Sequence, residues 1–179
     1  MLLNLRRSVV ISVVFFLLLG LAYPALMVGV GQLFFKSEAN GQITKYGSPL
    51  IGQHWSGPKW FQGRPDADNP MATGAQNYGP KSKLLLDFSH TRVVALEKEG
   101  ITPTNDLVTG SGSGIDPDIA PADAYAQARA VARANHLSVG QVDALIKSHV
   151  TDAYWGFLGA PYIDVLQLNE ALATLTGTR

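Results

Sequence analysis

The chain has 179 residues, with 14 basic and 14 acidic side chains, no cysteine, and 46% hydrophobic residues. Its length allows one domain, or one domain with an appendage. The net charge of zero disfavours a nucleic-acid binder, and the lack of cysteine excludes disulfides, thiol nucleophiles and metal sites built on cysteine.

An apolar segment comes first in the chain. Residues 9–35 contain 21 apolar side chains among 27 and no charge. A helix needs about 20 such residues to cross a bilayer, whereas the apolar region of a signal peptide has only about 7–15. The length therefore predicts a transmembrane helix over residues 9–35, with a cleaved signal peptide as the alternative.

The flanking charges bear on the orientation of this helix. Arg6, Arg7 and the α-amino group precede it, against Lys36 immediately after it. This balance mildly favours a cytoplasmic N-terminus of residues 1–8 and an extracytoplasmic, periplasmic domain of residues 36–179. The predicted localisation is a single-pass protein of the cell inner membrane.

The apolar segment has two features that a helix serving only as an anchor would not need. Tyr23 and Pro24 lie near mid-span, where a proline frees a carbonyl and kinks the helix. Ala25 and Gly29 are four residues apart and form a small face for close contact with another helix. The alternative is that Gly and Pro are simply commoner in membrane helices.

The domain after the helix begins with loop-rich sequence. Residues 40–80 hold seven glycines and five prolines among 41 positions. The short apolar stretches Leu50-Ile51 and Trp60-Phe61 predict brief strands or ordered loops.

Helix signals follow in the rest of the domain. Ser82 is predicted to cap a helix that runs to about Glu99, and Pro121 to begin one that runs to Asn135. Ser138 with Gln141 predicts a capping box for a helix to about Val150, and Asp164 with Gln167 predicts another.

Apolar spacing indicates which faces of these helices are buried. Arg92 interrupts the apolar face of the first helix. The predicted buried residues of the second and last helices are Tyr125, Ala128 and Ala132, and Val165, Leu168, Leu172 and Leu175. The fold is therefore predicted as α+β: one transmembrane helix, then a helix-rich domain whose Gly/Pro-rich first half contains short strands.

The segment Gly110-Ser111-Gly112-Ser113-Gly114 is the most conspicuous candidate for chemistry. Its N–H groups could bind an anion, but a tight connection is the favoured interpretation. It lacks the spacing of a nucleophile elbow, a P-loop or a dinucleotide fingerprint. Asp116, Asp118 and Asp123 after it lack the pattern of a calcium loop and are interpreted as acids of solvated turns.

A set of motifs in a specific order runs through nearly the whole chain. They are Tyr23-Pro24, Gly31-Gln32, Asn40-Gly41, Gly47-Ser48, Leu50-Ile51-Gly52-Gln53, Phe61-Gln62-Gly63-Arg64-Pro65, Asn77-Tyr78-Gly79-Pro80, the stretch from Asp106 to Pro117, Arg129 with Val131 and Ala132, Leu137-Ser138, and Leu168-Asn169-Glu170-Ala171-Leu172. In this order they resemble the C-subunit family (KdpC) of the Kdp potassium-transporting P-type ATPases. Ala120, Asp118 and Gly112 depart from the family's usual Ser or Thr, His and Ala.

The resemblance implies a non-catalytic accessory subunit of a high-affinity, ATP-driven potassium uptake pump. Its partners would be a channel-like, potassium-binding subunit, an ATP-hydrolysing P-type subunit and membrane lipid, with no nucleic acid. It implies roles in assembly and as a catalytic chaperone that raises ATP affinity, with ATP bound only through the complex. No catalytic, cofactor or metal residues of its own are predicted.

The residues predicted to bind partners lie on the helix and in three segments of the domain. They are Tyr23, Pro24, Ala25 and Gly29, then Phe61, Gly63, Arg64 and Pro65, then Asn77, Tyr78 and Gly79, and finally Ser111, Gly112, Ser113, Gly114 and Asp116. Two alternatives stay open: a membrane-tethered extracytoplasmic hydrolase that uses Ser111 or Ser113, and a stand-alone adhesion or scaffold domain.

Overall fold

The computed structural model describes residues 2–66 and 73–177. The chain divides into two compact units, Met1–Ile43 and Thr44–Arg179.

The first unit consists of helices. They are α1 (Leu2–Leu17), a π-helical turn (Leu18–Ala22), α2 (Tyr23–Phe34) and α3 (Lys36–Ala39). In the described residues, the continuous stretch Leu2–Phe34 is the one helix long and apolar enough to cross a membrane. At 33 residues it is about 50 Å long.

The π-helical turn ends at Ala22, two residues before Pro24. Proline has no N–H, so the carbonyl four residues earlier, that of Gly20, cannot receive the usual α-helical hydrogen bond. The wider turn of a π-helix is one way in which a helix accommodates such a break. The helix thus changes its type just before Pro24, whereas the kink stays a prediction.

The second unit contains the remaining helices and one small sheet. They are α4 (Lys83–Lys98), α5 (Asn105–Val108), β1 (Asp118–Ile119), α6 (Pro121–Ala134), α7 (Val139–Ser148), β2 (Ile163–Asp164) and α8 (Val165–Thr176). The two strands pair antiparallel, with Asp118 opposite Asp164 and Ile119 opposite Ile163.

Helices α6, α7 and α8 surround the main hydrophobic core of this unit. Its fully buried members include Phe61, Val131, Ile146, Leu168 and Leu172. A smaller buried cluster lies between the end of α4, α5 and α6, and it consists of Leu96, Ile101, Leu107 and Ala130.

The helix starts predicted from the sequence are confirmed. Helix α6 begins at Pro121, and Ser138 and Gln141 form the complete capping box of α7. Asp164 accepts a hydrogen bond from the Gln167 N–H at the start of α8. Ser82 occupies the cap position of α4, although its side chain makes no capping hydrogen bond.

The short strands predicted in the first half of the domain are wrong. The described residues between 40 and 82 contain no strand, because their backbone groups bond elsewhere. The Gly52 N–H, after Leu50 and Ile51, donates to the Ile115 carbonyl, and the Phe61 backbone bonds to a side-chain amide.

The prediction that Tyr125 and Leu175 lie in the core is also wrong. Tyr125 is 43% exposed and Leu175 is 46% exposed. On α6 the buried face runs through Ala124, Ala128 and Val131, which places Tyr125 to one side of it. Leu175 lies in the last turn of α8, beyond the part that the core covers.

Candidate functional site

A groove of about 360 Å³ in the second unit gathers much of the sequence singled out above. Its lining consists of residues 51–55, 63–66 and 114–117, together with Phe88, Arg92 and Val165. The Arg64 segment and the end of the glycine-rich loop therefore share one concave surface. How each segment is held decides what chemistry this surface can perform.

Two buried amide side chains fix the segment that enters the groove. Asn169 accepts from the Phe61 N–H at 2.9 Å and donates to the Phe61 carbonyl at 2.8 Å. Gln127 makes the same pair of bonds with the Gln62 backbone, at 2.8 and 3.0 Å. Both amides are fully buried, and they replace the neighbouring strand that this segment lacks.

Arg92 takes part in the same network. Its Nε donates to the Leu107 carbonyl at 3.1 Å and its Nη2 donates to the Gln62 side-chain oxygen at 2.8 Å. The Gln62 amide in turn donates to the Glu99 carboxylate. Burial lowers the pKa of Arg92, and the Glu99 charge opposes that shift. Arg92, which interrupts the apolar pattern of α4, is thus a bonded part of the interior.

Arg64 lies at the edge of the groove and is held by acceptors from the chain itself. Its Nη1 forms an ion pair with Asp106 at 2.9 Å, and its Nη2 donates to the Gly110 carbonyl at 3.2 Å. The Asp116 carboxylate lies 4.0 Å from its Nε. The Arg64 side chain is only 18% exposed. Its main role is to join its own segment to Asp106 and Asp116, which lie before and after the glycine-rich loop.

The Asp66 carboxylate occupies the position where the glycine-rich loop could have bound an anion. It accepts from the Ser111 N–H at 2.6 Å, the Ser111 hydroxyl at 2.7 Å and the Asp116 N–H at 2.7 Å. The Ser111 oxygen then accepts from the Gly114 N–H at 2.8 Å. The Ser111 and Gly114 N–H groups and the Ser111 hydroxyl are therefore used internally, which supports the interpretation as a tight connection.

Close backbone approach explains the last glycine of the loop. Gly114 has a φ of +72°, and a Cβ there would lie 2.5 Å from the Gly74 carbonyl oxygen. The Gly74 N–H donates to the Ser113 carbonyl at 2.7 Å, so the two segments of the backbone are in direct contact. Gly112, in contrast, has open space where its Cβ would be.

The bonding of Ser111 also disfavours this serine as the nucleophile of a hydrolase. A hydroxyl has one proton, and that of Ser111 goes to the Asp66 carboxylate rather than to an imidazole base. Ser111 is only 8% exposed. Its oxygen therefore serves as a structural link between Asp66 and Gly114.

Comparison with known protein families decides what kind of protein carries this groove. A sequence model of the family described as "KdpC: K+-transporting ATPase, c chain" matches residues 5–174. The chain belongs to the KdpC family. Three potassium-transporting ATPase KdpC subunits illustrate the similarity. That of Paraburkholderia phytofirmans is 41% identical over 93% of this chain and 94% of the relative. That of Variovorax paradoxus is 41% identical over 98% of each, and that of Geobacter sulfurreducens 40% identical over 96% and 98%.

The residues predicted as partner-binding in this KdpC-family chain fall into separate places. Phe61 is buried, whereas Gly63, Arg64, Pro65, Gly114 and Asp116 line the groove. Asn77, Tyr78 and Gly79 form an exposed turn before α4, where Asn77 has a φ of +55° and Tyr78 is 40% exposed. Tyr23, Pro24, Ala25 and Gly29 belong to the first unit. The role of all of them in binding partners stays a prediction.

Sequence reasoning missed the central position of Asp66. In the sequence Asp66 stands close to Asp68 and Asn69, a pattern that predicts only an acidic turn, and the latter two lie outside the described residues. A single acid 45 residues before the glycine-rich loop gives no local signal of a bond to it. Gln127 and Asn169 were likewise not predicted to bind backbone, although Asn169 belongs to a family motif.

Carboxylates crowd the paired strands beside the groove. Burial raises the pKa of Asp118 to about 6, and the charges of Asp116 and Asp164 add to the shift. Burial also raises the pKa of Asp164 and that of Asp123. The interpretation of Asp123 as an acid of a solvated turn is wrong, because it lies buried in the first turn of α6. Asp118 and Asp164 lie directly opposite each other across the strand pair.

The Asp118 shift predicts a pH dependence of stability. Because its folded pKa lies above the unfolded value of about 4, the folded state retains the proton up to about pH 6 and loses this advantage as the pH rises through that range. After allowance for solvent screening, we expect the unfolding free energy of the native chain to fall by about 1 kcal/mol relative to Asp118→Asn between pH 4 and 7. Urea titrations of the full chain in detergent micelles at several pH values measure this, and parallel pH profiles for the two proteins would contradict it.

Proposed function

We propose that this KdpC-family chain is a non-catalytic accessory subunit of an ATP-driven potassium pump, where it assembles with a channel-like subunit and an ATP-hydrolysing subunit. The observation that carries this proposal is the family match over residues 5–174, supported by relatives that align over nearly their full length. The internal bonding of Ser111, Asp66 and Arg64 supports the non-catalytic role, because the Ser111 hydroxyl, the Asp66 carboxylate and the Arg64 Nη groups already have partners within the chain.

The proposal includes anchoring by the helix Leu2–Phe34. Its large apolar side chains are exposed along its length: Phe16 is 66% exposed, Val28 is 65% exposed and Leu33 is 76% exposed. Such a surface requires lipid or other helices to cover it. We place residues 1–8 in the cytoplasm and the domain outside, on the charge balance across the helix.

In this arrangement the domain lies over the outer mouth of the channel-like subunit. Residues 37–179 carry 11 basic and 14 acidic side chains, a net charge of −3. That charge attracts K⁺ weakly, since a screening length of about 8 Å limits its reach at physiological salt. An effect on ATP affinity from this side of the membrane acts indirectly, through the subunit contacts, because ATP is cytoplasmic.

Co-purification in mild detergent tests the proposal, and the small face of the helix offers a matched pair of variants. Gly29 has open space where its Cβ would be, so Gly29→Leu leaves the chain itself undisturbed and obstructs only an approaching helix. We expect the native chain and Val28→Leu to bring down both larger subunits, and Gly29→Leu to bring them down in reduced yield. Recovery of the native chain without either subunit would refute the assembly role. Equal recovery by all three proteins would show that the small face does not contribute to assembly, and the assembly role itself would stand.

A further inference from the structure

Residues 151–162 form a hairpin that the function proposed above does not use. Thr151 and Tyr162 exchange two backbone hydrogen bonds, of 2.9 and 3.0 Å. Nearer the tip, Tyr154 and Leu158 form a second bridge, with the Tyr154 N–H donating to the Leu158 carbonyl at 2.9 Å. This pairing projects the residues between 154 and 158 as a defined tip.

The side chains of the tip are apolar and exposed. Tyr154 is 74% exposed, Trp155 is 81% exposed and Phe157 is 74% exposed, with Leu158 at 48%. Residues 153–162 contain no charged side chain. The three rings together present on the order of 450 Å², the size of exposed apolar patch that often serves a function in soluble proteins.

The backbone conformation of the turn at the tip does not favour a tryptophan. Trp155 and Gly156 have φ values of +52° and +80°, and the Phe157 N–H donates to the Tyr154 carbonyl at 3.2 Å. Two successive positive φ values are the pattern of a type I′ turn, for which Asn-Gly is the favoured pair. A bulky residue in the left-handed region costs free energy, so Trp155 occupies this position in spite of the backbone.

We propose that this aromatic hairpin, residues 151–162, inserts its tip, residues 154–158, into the interfacial layer of the membrane that holds the helix Leu2–Phe34. The inference rests on the anchoring part of the proposed function. Trp and Tyr are the residues that concentrate at membrane interfaces, because one end of each ring system is apolar and the other can stay hydrated. The lack of charge over residues 153–162 removes the main cost of entering that layer.

The size and shape of the tip favour lipid over a protein partner. A stable protein interface takes about 800 Å² from each side, which is well above what the tip presents. A narrow projection with its largest side chains at the end suits penetration of a soft layer. The two units are covalently continuous at residues 43 and 44, so anchoring of the first unit also tethers the second to the membrane.

The lack of cysteine makes a depth measurement direct, because one introduced cysteine takes one nitroxide label. The full chain is reconstituted in lipid nanodiscs with Phe157→Cys at the tip, Lys98→Cys as an exposed site at the end of α4, and Val14→Cys within the apolar helix. Collisions with oxygen, which concentrates in lipid, are compared with collisions with a water-soluble nickel chelate. We expect the label at 157 to favour oxygen several-fold over the label at 98, and the label at 14 to favour it most.

Each outcome of this measurement counts for or against the inference. A label at 157 as open to the chelate as the label at 98, while the label at 14 lies in lipid, would overturn it and leave the anchoring intact. If the label at 14 also lies in water, the anchoring itself fails. In the intact complex, a label at 157 shielded from both oxygen and chelate would show a protein partner instead and would also overturn it.

A matched variant separates insertion of the tip from folding of the hairpin. Trp155→Asn creates the Asn-Gly pair that this turn prefers, so the hairpin keeps its shape while it loses its largest apolar side chain. We expect the label at 157 to become several-fold more open to the chelate in this background. An unchanged depth would mean that Trp155 does not drive contact with lipid, contrary to the inference.

Discussion

Replacing Asn169 by alanine is expected to lower the free energy of unfolding of the domain by about 4 kcal/mol. The change removes both hydrogen bonds to the Phe61 backbone and leaves its N–H and carbonyl buried without partners. Each such group costs about 1–3 kcal/mol, and the small cavity left by the side chain adds to the loss. The urea midpoint of the full chain in detergent micelles, followed by tryptophan fluorescence, measures the effect.

A second variant and a control make this prediction specific. Asn169→Asp retains an acceptor for the Phe61 N–H but cannot donate to the Phe61 carbonyl when ionised, so we expect a large loss with this nearly isosteric change as well. The control is Asp143→Asn, on α7, for which we expect a change within about 0.5 kcal/mol. A loss below about 1 kcal/mol in Asn169→Ala would show that water enters and replaces the lost bonds.

The helices of the domain could be predicted because their signals are local. Proline at the first position of α6 and the Ser138–Gln141 capping box act within one turn of the helix, so a short stretch of sequence contains the whole interaction. The family motifs extend this to the identity of the chain, because their order is specific even where each motif is weak. The same local reasoning placed the apolar helix at the N-terminus.

The segment around Phe61 could not be predicted in this way. An apolar pair such as Trp60-Phe61 in Gly/Pro-rich sequence is compatible with a strand, and the backbone bonds that decide against it come from side chains 65 and 108 residues further along the chain. Nothing in the neighbourhood of residue 61 indicates those partners. The same holds for Asp66, whose three donors lie 45 to 50 residues away.

These contacts bear on the low fraction of charged residues in the chain. Only 16% of the residues are charged, and the apolar helix explains part of that. Within the domain, Arg64 and Arg92 bond to the chain itself, and residues 153–162 of the hairpin present rings instead of charges. A surface of this kind suits a domain held between membrane and partner subunits better than one surrounded by water.

Asp66 is the second position where a single change is expected to have a large effect. Asp66→Ala leaves the Ser111 N–H, the Ser111 hydroxyl and the Asp116 N–H without their common acceptor. Hydrogen bonds to a charged group contribute about 1.5–3 kcal/mol each, but the groove lets water replace part of that loss. We therefore expect a fall of about 3 kcal/mol in the free energy of unfolding, measured as for Asn169.

The control for Asp66 is Asp87→Asn, an exposed acid on α4, which should leave the unfolding free energy within about 0.5 kcal/mol of the native value. Asp66→Asn is the informative intermediate, because its amide provides one acceptor oxygen for three donors and presents N–H groups where the second oxygen was. A loss that approaches that of Asp66→Ala would establish that the carboxylate itself holds the loop. If Asp66→Ala were as stable as the native chain, Asp66 would instead be a minor contact. The order of the glycine-rich loop would then depend on the close approach of Gly114 to Gly74.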